Sequence, residues 1–178
     1  PVLGVLGCPS YPLDACGERG GLFFAVTGMG ARQCALDGTG VIEVAVDGIA
    51  DAGQARFCES VESAHASHDE HARISASMGI VQAPYRIDSQ CKYAAVSRGD
   101  ASVYLRLPRS LEYREKIWDH AAGVAVVQAA GGRVTDFSGA PLDFGLGRTL
   151  ANNVGIVATN GDLHETALRA IRDVVALS

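Results

Sequence analysis

Four short segments place reactive side chains where a phosphorylated ligand could be held. Asp119 stands in EKIWDHAAG, at or just before the start of an apolar helix. The positive end of a helix favours a carboxylate there, and that carboxylate is well placed to share a divalent cation with a ligand phosphate. Acids are also common in first turns that hold no ligand. In RIDSQCK, Ser89 lies at a strand-to-helix turn with Lys92 three residues on. A hydroxyl, free backbone N–H groups and a cation can converge there on an anion, or the pair can serve as a plain cap. Arg106 sits within the apolar run VYLRLP, where a guanidinium needs a phosphate or carboxylate partner or an exit to solvent. His65 follows a strand and precedes a helix, the position at which open α/β sheets meet ligands; a solvated loop histidine is the plain alternative.

Other chemical signals are weaker. His65, His68 and His71 are spaced i, i+3, i+6, which does not keep three side chains on one helix face, so no zinc site is expected. Ser67 and Glu70 read instead as a capping box. LDGTG resembles part of a metal-binding D-x-x-D-G-T motif, but Cys34 occupies the position of its first acid. Asp37-Gly38 lies between two strand-like runs and reads as a hairpin turn. GMGARQ and GLGRTL lack the third glycine of a dinucleotide fingerprint, and GMGARQ reads as a turn region. No P-loop, G-x-S-x-G elbow or H-E-x-x-H is present.

The elements that must position these residues change texture near residues 50–55. Before that point VLGVLG, GLFFAV and GVIEVAV are short apolar or alternating runs between Gly, Pro and Asp-Gly, as in hairpin-connected strands. After it, strands alternate with helices. ARFCESVE, YRIDS, ASVYLRLP, RVTDF and VGIVAT read as strands, and SHDEHARISASMG and QCKYAAVSRG as helices, the second stopped at Gly99. A long helix is predicted from about Lys116 or Trp118 to Gly131-Gly132, and an amphipathic one from about Asp162 to Leu177, with Leu163, Ala167, Ile171, Val174 and Val175 on one face. The helix through Val124–Ala130 has almost no polar stripe. It must be covered on several sides, which predicts that the N-terminal strands, or protein upstream of Pro1, pack on its far side. The chain divides on this reading into 1–54 and 55–178, the second an α/β unit with helices on a sheet.

Composition narrows the function. Of the 178 residues, 48% are hydrophobic and 20% charged, enough for an ordinary core, and no run of about 18 apolar residues suggests a membrane span. A formal charge of −5 disfavours nucleic acid and anionic membranes as partners, while a small phosphorylated ligand needs only a few placed cations. The 15 basic residues include only two lysines, Lys92 and Lys116. Five scattered cysteines, without a C-x-x-C pair, fit no disulfide framework, so a reducing cytoplasmic setting is expected.

Taken in order, SVESAHASHDEH, IDSQCKY, VYLRLP, EKIWDHAAG, AAGGRVTDFSGAPLDFG, GRTLANN and GIVAT resemble the 3'(2'),5'-bisphosphate nucleotidases of the inositol-monophosphatase superfamily. W-D-H-A-A-G and D-S-Q-x-K are the most specific of these. GVLGCP and AVTGMGA look like later strands of that family's first domain, and the chain after about residue 55 looks like its second. The resemblance implies a layered α/β/α/β/α sandwich of the sugar-phosphatase type with its N-terminal helices and strands missing. It also implies a Mg2+-dependent enzyme that removes the 3'-phosphate of 3'-phosphoadenosine 5'-phosphate or its phosphosulfate form to give AMP. Asp119 would be a metal ligand that also approaches the substrate, and His65, Ser89, Lys92 and Arg106 would bind the nucleotide and its phosphates.

The departure from the family is equally informative. Its upstream glutamate pair and D-P-I-D-G-T segment have no counterpart here, so no catalytic residue is assigned within this chain. One aspartate does not hold two or three hydrated magnesium ions. The expectation is therefore part of a longer enzyme, beginning in mid-strand at Pro1 and inactive alone. A related inositol- or sugar-phosphate phosphatase and a non-catalytic nucleotide-binding remnant remain as alternatives.

Overall fold

The fold is described from a computed structural model, over residues 1–13, 19–61, 68–108, 110 and 112–175, without the side chains of His68 and Val175. The alternating N-terminal runs form an antiparallel sheet of β1 (Leu3–Pro12), β2 (Arg19–Val26), β3 (Ala31–Ala35) and β4 (Ile42–Val44), paired in that order. Leu6 lies opposite Phe23, and Phe23 opposite Gln33. This register puts Leu6, Phe23 and Ala25 on the buried face, while Leu3 and Val5 point the other way and stay exposed. β3 begins inside GMGARQ, a segment whose glycines suggest only a turn. Gly28 and Gly30 do adopt positive φ, but the chain re-enters the sheet at Ala31 because Ala31 pairs with both Ala25 and Val44.

A second, mixed sheet has the order β6-β5-β7-β9-β8, with β5 (Phe57–Glu59), β6 (Tyr85–Arg86), β7 (Val103–Arg106), β8 (Arg133–Thr135) and β9 (Ile156–Thr159). β5 runs parallel to β6 and β7, whereas β9 runs antiparallel to β7 and β8. Among the described residues four α-helices accompany the sheets: α1 (His68–Met78), α2 (Cys91–Ser97), α3 (Ala121–Ala129) and α4 (His164–Val175). α2 and α3 lie between the two sheets, and α1 and α4 cover the outer face of the second. The described residues thus stack as sheet, helices, sheet, helices, which is the predicted layered α/β sandwich. Ser67, the expected cap of α1, lies outside the described residues.

The all-round apolar character of α3 matches this placement. It packs on β1 and β2 on one side and on β8 and β9 on the other, with α2 alongside. The approach is close enough to require glycine twice. A Cβ at Gly4 would come 2.4 Å from the Ala122 carbonyl oxygen, and one at Gly123 would come 2.2 Å from the Tyr93 ring. α3 starts later than its composition suggests. Lys116 forms an antiparallel bridge with Thr149, and Leu150 N–H donates to the Glu115 carbonyl at 2.9 Å, so the chain is held extended there. It then makes a 3-10 turn at Ile117–Asp119 before the helix begins. The YRIDS strand is likewise short, ending at Arg86.

Polar groups fasten the layers. The Arg98 guanidinium, just past α2, lies 4.4 Å over the Tyr11 ring and donates to Asp100 at 2.8 Å and to the Pro12 carbonyl at 2.7 Å, while Tyr11 O–H also donates to Asp100. Asp47 accepts from Ser102 Oγ at 2.8 Å and Asn160 Nδ2 at 2.6 Å, tying the connection after β4 to the second sheet. Cys8, Cys34, Cys58 and Cys91 are free thiols.

His164 is fully buried beneath the second sheet between two hydroxyls, Thr135 Oγ1 at Nε2 and Thr159 Oγ1 at Nδ1, each 2.9 Å away. Thr135 already donates to the Asp136 carbonyl, so it accepts from Nε2–H and leaves Nδ1 to accept from Thr159. Burial, helped by the charge of Arg133, pushes this imidazole down to about 4. The folded state therefore favours the neutral ring. Its contribution is fully present above pH 6.5 and is lost as the pH falls toward 4, by roughly 3 kcal/mol. Urea titrations at pH 7 and pH 4.5 should show that loss, and His164→Gln should be less stable at pH 7 but lose much less on acidification; an unchanged pH slope would refute the assignment.

Candidate functional site

The parallel strands β6, β5 and β7 point their carboxyl ends to one edge of the second sheet, where open α/β sheets form ligand crevices. A cleft of about 550 Å³ opens there, within the range of small-molecule sites, roughly 300–1,000 Å³. Ser60 follows β5, Asp88 and Ser89 follow β6, and Arg106 ends β7. Alternation along β7 sends Val103 and Leu105 toward α1 and α4 and Tyr104 toward the inter-sheet core, so Arg106 emerges on the side of Tyr104, in the cleft.

The turn into α2 is conformationally unusual. Ser89 is the only described residue other than glycine with positive φ, at 61°. Its Oγ accepts from Cys91 N–H and donates to Cys91 Sγ, both at 3.4 Å, while Asp88 accepts from Val61 N–H at 2.9 Å. Gln90 Nε2 then donates to the Trp118 carbonyl at 3.0 Å, binding this turn to the one that carries Asp119.

Lys92 reaches back from α2 into the cleft, 6% exposed, with Nζ donating to Ser60 Oγ at 3.0 Å and 5.6 Å above the Tyr104 ring. Burial pulls its pKa below the usual lysine range, and Cys58 and Asp88 only partly oppose that. Arg106 Nε donates to Glu115 Oε1 at 3.1 Å. Burial works against the guanidinium charge, yet the Glu115 carboxylate outweighs it and raises the pKa further. Glu115 is itself 4% exposed. Burial would raise its pKa, but the hydrogen bonds and charges of His120 and Arg106 hold it below the ordinary carboxylate value. The second carboxylate oxygen meets His120 Nε2 at 3.2 Å, and His120 Nδ1 meets Tyr93 O–H at 2.7 Å.

Ser89, Lys92, Arg106 and Asp119 thus line one cleft, while His65 lies outside the described residues. Ser60, Asp88, Glu115 and His120 also line it and were not singled out from the sequence. Glu115 lies between Arg114 and Lys116 and looks like part of a solvated charge run; its burial depends on a chain path with no local signature. Asp119 is exposed and accepts no hydrogen bond among the described residues. No group of three His, Cys, Asp or Glu able to hold a metal occurs among them. Asp119 thus presents one exposed carboxylate to the cleft, and the described residues offer no self-contained metal cage.

Comparison with known proteins places these features in context. The profile of the inositol monophosphatase family matches residues 1–176. A 3'(2'),5'-bisphosphate nucleotidase of Oryza sativa is 45% identical over 98% of this chain and 51% of its own length. One from Dictyostelium discoideum is 43% identical over 97% and 52%, and one from Schizosaccharomyces pombe 38% over 99% and 52%. The chain spans about half the length of the curated relatives it matches. Among solved structures, an IMPase of Thermotoga maritima aligns with a TM-score of 0.63 at 22% identity, covering 88% of this chain and 53% of that one. The inositol monophosphatase of Anabaena aligns with a TM-score of 0.60 at 21% identity, over 86% and 54%.

The left-handed turn at Ser89 yields a stability test. Ser89→Gly relieves the positive φ but frees the unfolded chain, and is expected within about 0.5 kcal/mol of neutral, whereas Ser89→Val should cost about 2 kcal/mol. Chemical denaturation measures both, and a valine variant as stable as the parent would rule out the conformation.

Proposed function

The chain belongs to the inositol monophosphatase family, and on that premise we propose that it is the nucleotide-binding part of a 3'(2'),5'-bisphosphate nucleotidase. The full-length protein would be a metal-dependent phosphomonoesterase that converts 3'-phosphoadenosine 5'-phosphate, or its phosphosulfate form, to AMP. The observation that carries this reading is the convergence of Lys92, Arg106 and Asp119 on one cleft. The names of the three relatives described above, each a bisphosphate nucleotidase, support it over an inositol-phosphate substrate.

The residue types suit their proposed roles. Arg106, with Nε committed to Glu115, presents its remaining N–H donors as a fork for a phosphate, and Lys92 adds a compact charge. Ser89 supplies a hydroxyl at the turn, and His65 is assigned to the same substrate. Asp119 would share a divalent cation, Mg2+ in this proposal, with the phosphate. Bound there, such an ion supplies charge neutralisation at the transferring phosphoryl group. The residues that activate the attacking water are assigned outside this chain, which alone is expected to bind nucleotide without turning it over.

The balance of charge points the same way. Among the described residues the lining holds two cations, Lys92 and Arg106, against three carboxylates, Asp88, Glu115 and Asp119. A ligand with two phosphates meets a lining that is net negative, so its affinity should depend on a divalent cation.

In the full-length protein, Lys92→Ala and Arg106→Ala should each raise KM for 3'-phosphoadenosine 5'-phosphate roughly tenfold to a hundredfold, as loss of a charge-assisted hydrogen bond does. Their thermal midpoints should fall by only a few degrees. Calorimetry should also show adenosine 3',5'-bisphosphate binding more tightly with Mg2+ than with EDTA. Faster turnover of inositol phosphates than of the nucleotide, or nucleotide binding indifferent to both substitutions, would sink the reading.

A further inference from the structure

Glu115 contributes a buried carboxylate to the cleft wall, and both of its oxygens are already engaged. Oε1 accepts from Arg106 Nε at 3.1 Å, and Oε2 lies 3.2 Å from His120 Nε2. The main chain is fixed as well, since Leu150 N–H donates to the Glu115 carbonyl at 2.9 Å. An ionised carboxylate only accepts, so His120 Nε2 carries the proton shared with Glu115, while Nδ1 meets Tyr93 O–H at 2.7 Å. Tyr93 is 1% exposed, and its ring sits where a Cβ on Gly123 of α3 would be. A continuous chain of bonds thus runs from the core between the sheets, through His120, to Arg106 at the end of β7. His120 is also the residue that follows Asp119.

We infer that Glu115 is a positioning residue for phosphate recognition: it holds the plane of the Arg106 guanidinium and the His120 ring together, and so fixes the cation at 106 relative to the acid at 119. The inference rests on the proposed binding of phosphate by Arg106. Without the carboxylate, the guanidinium has no described partner to hold its Nε edge, and its fork reaches a phosphate only after losing rotamer freedom. The role differs from plain stabilisation because it acts on ligand affinity through Arg106 alone.

A double-mutant cycle on the full-length protein separates the two, with adenosine 3',5'-bisphosphate and Mg2+ as the probe. Glu115→Gln should raise Kd about tenfold, and in an Arg106→Ala background the same substitution should change Kd less than twofold. Tyr93→Phe, which releases His120 while keeping the buried ring, should give a smaller rise in Kd that is also lost in the Arg106→Ala background. It serves if Glu115→Gln does not fold. The Arg106 Nε–H resonance should shift and lose exchange protection in Glu115→Gln. Equal effects of Glu115→Gln with and without Arg106, or an unaltered Kd, would overturn the positioning role and leave the functional reading intact. A parent protein that binds no bisphosphate would overturn both.

Discussion

A helix without a polar side must be covered on every side, and that requirement organises this molecule. α3 has valine or alanine at nearly every position, so no face can remain in water at acceptable cost. The antiparallel sheet covers one side and the mixed sheet the other, with α2 filling the space beside it. Gly4 and Gly123 let the backbones approach closely enough for this. Since α3 follows directly from the turn that carries Asp119, the same burial that settles the helix also fixes where that carboxylate sits.

The cleft shows how buried polar groups obtain geometry from such a scaffold. Lys92, Arg106 and Glu115 are each largely withdrawn from water, and each is engaged by a specific partner. A buried ion pair adds little net stability, because desolvation offsets most of its attraction. What it contributes is orientation. Arg106 faces the cleft at the end of β7 because strand alternation sends it there, and Glu115 keeps it in place.

Much of this was legible in the sequence where the pattern is periodic. The hairpin strands, the amphipathic C-terminal helix and the all-round apolar α3 follow from the placement of their apolar residues. The two short helices are legible from a capping pattern and the Gly99 stop, and the need for a second covering sheet followed from α3. The misses have physical reasons. β3 is hidden behind the glycines of its preceding turn, and α3 starts late because the bridge between Lys116 and Thr149 holds the chain extended first. In the site, Ser89, Lys92, Arg106 and Asp119 could be named from residue type and local context. Ser60, Glu115 and His120 could not, because they are held in the cleft by partners on other elements, Lys92 and Tyr93 on α2 and Arg106 on β7.

The strand order of the mixed sheet also constrains how the molecule can assemble. β9 lies between β7 and β8, so β8 has no hydrogen-bonded neighbour until Ile156–Thr159 arrive, well after α3 in the chain. During vectorial synthesis α3 therefore emerges before half of its shelter exists. The β1–β2 hairpin, made of local contacts and synthesised earlier, is the face available to it in that interval, and closure of the far side needs β9.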